Sequence, residues 1–185
     1  MILYLIKPNG QFAGRVEGTT GEVLAQVPPD YNSTAVPPPR ESDYWNGSSW
    51  VAIGPQPAYY MNFDYGLKKW VDSRNLTDVQ KMKWDLVKVE RNVAEYGGFE
   101  FDGHKYDSDL NSQCRILSAL ILNQDVEWTT ATEDVVSLTA AQLQELGKAM
   151  AEHVQKVHAA GRVAREAIYS ATTPAEVDAV TFFAG

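Results

Sequence analysis

Gly97-Gly98-Phe99-Glu100-Phe101-Asp102-Gly103-His104-Lys105-Tyr106-Asp107-Ser108-Asp109 is the stretch from which the fold is read. Two glycines end whatever helix precedes them, because a left-handed residue there satisfies the last helical carbonyls. Phe99 to Phe101 and His104 to Tyr106 are strand formers on either side of Asp102-Gly103, the pair that makes a tight hairpin turn. Asp107, Ser108 or Asp109 then caps a following helix with its side-chain oxygen. A hairpin seated between two helices, rather than alternating with them, predicts an α+β protein.

Working upstream, Thr77 and Gln80 have capping-box spacing, and Asp78 sits where the helix dipole favours an anion. Val79, Met82, Leu86, Val89, Val93 and Tyr96 follow in steps of three and four, a heptad-like seam that expects a partner surface. Trp84 lies off that seam, so it either broadens the buried face or meets a partner. Downstream, Leu110, Cys114, Leu117 and Ile121 share one helical face. Val126 to Thr130, with Trp128, and Val135 to Leu138 form a strand pair. Thr139 and Gln142 then cap a final long helix. Its seam is Leu143, Leu146, Met150, Val154, Val157, Gly161, Ala164, Ile168 and Ala171, with the Met150 to Val154 step acting as a stutter. Gly161 would serve a close neighbouring backbone or a bend. Thr173-Pro174 ends the run or opens a short terminal turn.

The N-terminal part reads differently. Ile2 to Ile6, the Pro8-Asn9-Gly10 turn and Phe12 to Val16 make a hairpin. Gly14, Gly18 and Gly21 weaken any longer strand. Pro28 to Arg40, with Pro37-Pro38-Pro39, is an extended linker or strap. Two aromatic hairpins follow, Tyr44-Trp45 with Trp50-Val51 across Asn46-Gly47, and Tyr59 to Phe63 with Lys69 to Val71. Three regions result: 1–57, rich in hairpins and carrying the strap; 58–96, an aromatic hairpin with a connecting helix; and 97–185, a hairpin with helices ending in the long one. Trp45, Trp50, Tyr60, Trp70 and Trp84 are the candidate interaction residues. Core packing is the expected role of the hairpin rings, with a stacking platform for sugar or peptide as the sharper alternative.

Composition narrows the chemistry. The chain has 185 residues, 44% apolar and 22% charged, with net charge −8. That mixture folds, and its charge makes nonspecific attraction to nucleic acid or anionic lipid weak or absent. The apolar start, Met1 to Ile6, is too short for a membrane span or a signal core. The expected place of synthesis is therefore the cytoplasm, with export only as part of something larger. Cys114 is the single cysteine and reads as a small buried hydrophobe, with no histidine partner.

His153 and His158 are five apart, which places them on different helical faces and not as a shared metal pair. His104 stands apart from both. Asp102, Asp107 and Asp109 read as turn and cap residues rather than a calcium loop. Glu90 and Glu95 read as solvated helix charges. Phosphate-loop and nucleophile-elbow patterns are missing. No catalytic, cofactor-binding or metal residue is assigned, and the expectation is a protein that is not an enzyme.

The hairpin and cap of residues 99–109 resemble a signature in a small domain of unknown function found in tailed-phage proteins. Val136-Ser137-Leu138-Thr139-Ala140-Ala141-Gln142, Leu146-Gly147 and His153 are similar to its helix start and helix. Tyr59-Tyr60 to Trp70, Leu76-Thr77-Asp78 and Lys83-Trp84 look like the usual lead-in. The likeness spans about residues 58 to 180. It implies a virion structural protein of a bacteriophage tail, in the tail fibre or baseplate, made in the host cytoplasm. Its partners would be fibre or baseplate proteins; the two helical seams, by their own spacing, either pack within one chain or pair between copies in a homo-oligomer. A fibre-assembly chaperone that leaves the particle, or a carbohydrate-binding tip used in host attachment, are the alternatives. The family brings no catalytic residues with it.

Overall fold

The computed structural model describes residues 1–183 and has an α+β fold of two compact units, Met1–Ser73 and Arg74–Gly185. The segment expected as one region, 58–96, is divided between them. Its aromatic hairpin pairs with itself inside the first unit, whereas its helix packs on elements near the C-terminus.

In the first unit, β1 (Ile2–Ile6) and β2 (Phe12–Glu17) are antiparallel, with Leu3 opposite Val16 and an irregularity between Leu5 and Ile6. Their turn needs Gly10, whose φ is +84° and whose missing Cβ would lie 2.5 Å from the Trp45 carbonyl oxygen. Residues 18–27, expected as the fading end of the hairpin, contain α1 (Thr20–Ala25) instead. The glycines hid a capping box, in which Thr19 N and Oγ1 donate to Glu22 Oε2 at 2.8 and 2.7 Å. The strap also does more than span: β3 (Asn32–Thr34) pairs antiparallel with the free edge of β1, giving the sheet order β2-β1-β3. The aromatic hairpins form as expected, β4 (Tyr44–Trp45) with β5 (Trp50–Val51), and β6 (Met61–Asp64) with β7 (Lys69–Asp72).

The second unit is built along one long helix. Its elements are α2 (Leu76–Tyr96), β8 (Phe99–Phe101), β9 (His104–Tyr106), α3 (Leu110–Leu122), β10 (Val126–Thr129), β11 (Val135–Leu138), α4 (Ala140–Ser170) and α5 (Pro174–Ala179). Asp109 caps α3 by accepting from Asn111 N at 2.9 Å and Ser112 N at 3.3 Å. Thr139 and Gln142 form the expected box on α4. α2 starts earlier than expected: Asn75, not Thr77, is its cap, accepting from Asp78 N at 3.1 Å. Gln80 is thereby freed for a buried role, its Nε2 donating to the carbonyls of Ile168 and Ala171 at 3.1 and 3.3 Å. Those are orphan carbonyls of the last turn of α4, which a side chain must satisfy when water is excluded.

α4 carries two cores. Its N-terminal half brings Leu143, Leu146 and Met150 against Phe99, Tyr106, Ile116, Trp128 and Leu138. Its C-terminal half brings Ala164 and Ile168 against Val79, Val87 and Val177, with Trp84 and Phe182 at the margin. The seam expected for α4 is buried except at Val154 and Ala171, which are half-buried. Gly161 leaves room for the Arg91 side chain, whose Cδ would sit 3.2 Å from an added Cβ, so the close neighbour is a side chain and not backbone. Gly147 is tighter, because a Cβ there would lie 2.5 Å from Leu120 Cδ1.

Candidate interaction surfaces

α2 has two stripes, each stepping by four and three. Gln80, Trp84, Val87, Arg91 and Ala94 face α4 and are buried or half-buried. Met82, Leu86, Val89, Val93 and Tyr96 are offset by two residues, hence roughly 200° around the helix, and stand 47% to 68% exposed. Of the two roles its spacing leaves open, packing within the chain or pairing between copies, the seam past Val79 does not take the first. The reason lies in α4: Gln80 captures its terminal carbonyls and Arg91 fills the notch at Gly161, contacts that the apolar stripe could not make. Val79 alone of the expected seam is buried, under α5.

α3 repeats the pattern. Ser112, Ile116 and Ala119 are buried, while Leu110, Cys114, Leu117 and Ile121 face solvent, Ile121 with 84% of its surface exposed. Cys114 is thus an exposed thiol and not the small core residue expected. The four residues do share one face, and that face is the outer one. Exposed apolar stripes of this extent are characteristic of contact surfaces.

Of the five candidate aromatic residues, four belong to the first unit and Trp84 to the second. Trp45 and Trp50 meet edge to face at 5.3 Å, and Trp50 Nε1 donates to the Val36 carbonyl at 2.9 Å, which fastens the strap. Trp70 lies edge-on to Phe63 at 5.6 Å, its Nε1 donating to Ile53 O at 3.0 Å. Tyr60 packs against the exposed ring of Tyr59 at 5.1 Å. Trp84 lies in the second unit with Arg165 5.9 Å from its ring centroid. Among them Trp45 lines an open cleft of about 590 Å³, together with Asn9, Asn32, Asn46, Tyr65 and Lys68. Burial, and then the nearby Asp43 carboxylate, push the Tyr65 hydroxyl above its usual pKa.

Polar side chains on the second unit tie its elements together. Ser108 Oγ accepts from Gly98 N at 2.9 Å and donates to the Glu95 carbonyl. His153 Nε2 lies 3.1 Å from that same carbonyl, its ring stacked on Phe99, and His158 Nε2 lies 3.1 Å from Glu95 Oε2. Glu95, read as a solvated charge, therefore receives both histidines through different atoms. Among the described residues no three His, Cys, Asp or Glu side chains are placed to share a metal ion. No helix among them is long and apolar enough to cross a membrane.

These surfaces define an α+β protein whose second unit buries Trp128 and most of the α4 seam while turning two apolar helical stripes outward. The chain belongs to the family described as Domain of unknown function (DUF4376), which matches residues 78–181. The match takes in α2 through α5 and hence both stripes. Comparison with curated proteins found no match, and comparison with solved structures found none.

Proposed function

We propose that the protein is a non-enzymatic structural component of a bacteriophage tail, at the fibre or baseplate, acting through protein–protein contacts. The observation that carries the reading is the outward stripe of α2, five apolar side chains in register on a helix whose other face is already packed. Burying apolar surface contributes roughly 25 cal/mol per Å², so a folded protein that leaves such a stripe in water has a surface suited to association. The resemblance of residues 99–109 and 136–147 to tailed-phage proteins supplies the setting, and synthesis in the host cytoplasm follows from it.

The test is quantitative mass spectrometry of purified particles, alongside capture from infected-cell extract with the tagged fibre and baseplate proteins. A fixed copy number per particle is expected. Capture by the fibre in extract with none in particles would instead identify an assembly chaperone. Absence from both would overturn the reading.

The cleft at Trp45 favours a second, narrower role in carbohydrate binding, since an indole face beside amide groups suits a sugar's apolar face and hydroxyls. Glycan-array binding abolished by Trp45→Ala would support it. Binding unchanged in that variant would remove it.

A further inference from the structure

The outward stripe of α2 specifies more than a general tendency to associate. Met82, Leu86, Val89, Val93 and Tyr96 alternate steps of four and three, which puts Leu86 and Val93 at a positions and Met82, Val89 and Tyr96 at d positions of a heptad. The preceding a residue, Val79, is closed off beneath α5. The open seam is therefore short, and an isolated helix of that length would be marginal in water. Here α4 already holds the helix, so a partner meets a preformed surface and does not have to order it.

We propose that this stripe binds the same stripe of a second copy of the chain, with the two α2 helices antiparallel. Leu86 then packs against the partner's Val89, and Met82 against the partner's Val93. Each contact occurs twice about a two-fold axis, as a self-complementary interface requires.

The flanking charges select this arrangement over its competitors. Lys83 and Glu90 occupy e positions, and Asp78, Asp85 and Asn92 occupy g positions. Antiparallel helices set e against e and g against g. In the proposed register Lys83 faces the partner's Glu90, twice, and Asp85 faces the partner's Asn92. Lys83 already donates to the Asp178 carbonyl at 3.2 Å, which leaves two of its three ammonium protons available. Asp85 is held by Lys88 at 2.6 Å and carries little unbalanced charge into the interface. A parallel pair would gain Asp78 with the partner's Lys83 but would oppose Asp85 and the partner's Glu90. Sliding the antiparallel pair by one heptad opposes Glu90 and the partner's Glu90. Like charges so placed are unfavourable. Of the three arrangements, only the proposed one has attraction without repulsion.

The inference deepens the assembly reading and rests on it only in taking the stripe as a contact face. A chain found monomeric would overturn the pairing and leave the particle measurement standing. A dimer absent from particles and uncaptured by fibre or baseplate would do the reverse.

The experiment is light scattering after size-exclusion chromatography over a concentration series. It uses the full chain with Cys114→Ser, so that the exposed thiol cannot cross-link copies. Twice the chain mass is expected at high concentration, falling on dilution. Leu86→Lys should raise the dissociation constant by about tenfold or more. Lys83→Glu and Glu90→Lys should each weaken the dimer, and the double exchange should restore it. A protein with Met82→Cys mixed with one bearing Val93→Cys should be joined by a short bismaleimide, whereas Met82→Cys alone should not. The substituted side chains are exposed or half-buried, and circular dichroism identifies any variant that fails to fold, the charge exchange then deciding alone. A monomer at the highest attainable concentration overturns the proposal. So does a dimer insensitive to Leu86→Lys but lost with Leu117→Lys, which would put the contact on α3. Self-linking of Met82→Cys would overturn the antiparallel orientation.

Discussion

Replacing Ser108 with alanine should destabilise the second unit by about 2 kcal/mol. The side chain is fully buried, and its Oγ joins the end of α2 to the start of the β8–β9 hairpin. Two groups are affected, and unequally. The Glu95 carbonyl loses one donor but keeps His153 Nε2 at 3.1 Å. Gly98 N–H loses the acceptor 2.9 Å away, and a buried donor left unpaired costs about 1 to 3 kcal/mol. Alanine introduces no steric conflict, so the loss comes almost wholly from that donor. Urea denaturation followed by far-UV circular dichroism is the assay, because nearly all the helical signal arises from α2, α3 and α4. A fall in midpoint at constant slope is expected. A loss below about 0.5 kcal/mol would refute the reasoning; it would mean that water or a shifted backbone replaces the hydroxyl.

Two glycines of α4 should respond to alanine with opposite sign. Gly161→Ala gains helix propensity worth up to about 1 kcal/mol, and the Arg91 stem can move aside, so the thermal midpoint should rise. Gly147→Ala drives a methyl to within 2.5 Å of Leu120 Cδ1, and overpacking of about 1 to 3 kcal/mol should outweigh the same gain; a rise there would show that Leu120 relocates freely. Asp109 is held below the ordinary carboxylate range by the hydroxyl of Ser112 and then by the backbone N–H groups of Ser112 and Asn111. Its lowered folded pKa means that its stabilisation is present above the unfolded value of about 3.9 and lost as pH falls through the folded one. Asp109→Asn should therefore show a shallower loss of stability on acidification, measured by urea midpoints at stepped pH, and parallel curves would exclude Asp109 from the acid response. Trp50→Phe removes the indole donor to Val36, so limited proteolysis should cut faster between Pro28 and Arg40, and an unchanged rate would show the strap held by other contacts.

The hairpins were legible because each announces itself locally. Asp102-Gly103 and Asn46-Gly47 place turn residues between strand formers, and Thr139 with Gln142 marks a helix start within four positions. The α4 seam was legible because a helix in the middle of a unit buries its most apolar face. The α2 and α3 stripes were visible as stripes, but periodicity reports that a face exists and not what covers it. For α2 the answer depended on carbonyls at Ile168 and Ala171 and on a notch at Gly161, groups far along the chain. Trp84, off the apolar seam, was the one local sign that the inner face lay elsewhere. α1 and β3 were missed for different reasons. Glycines at 18 and 21 masked the Thr19–Glu22 box, and β3 exists only because β1 offers a free edge. The candidate aromatic residues share a type and not a place: Trp45 and Trp50 pack on each other, while Tyr60, Trp70 and Trp84 each pack on other neighbours.

The grip of Gln80 on the carbonyls of Ile168 and Ala171 has a consequence for synthesis on the ribosome. At about 5 to 20 residues per second, roughly 4 to 15 s separate the emergence of α2 from that of the surface that covers its inner side. Throughout that interval a nascent α2 would show water both of its stripes, leaving it a target for holdase chaperones. Released chains truncated before Ala164 should thus be retained by such factors, and released chains that run past Val177 should be let go.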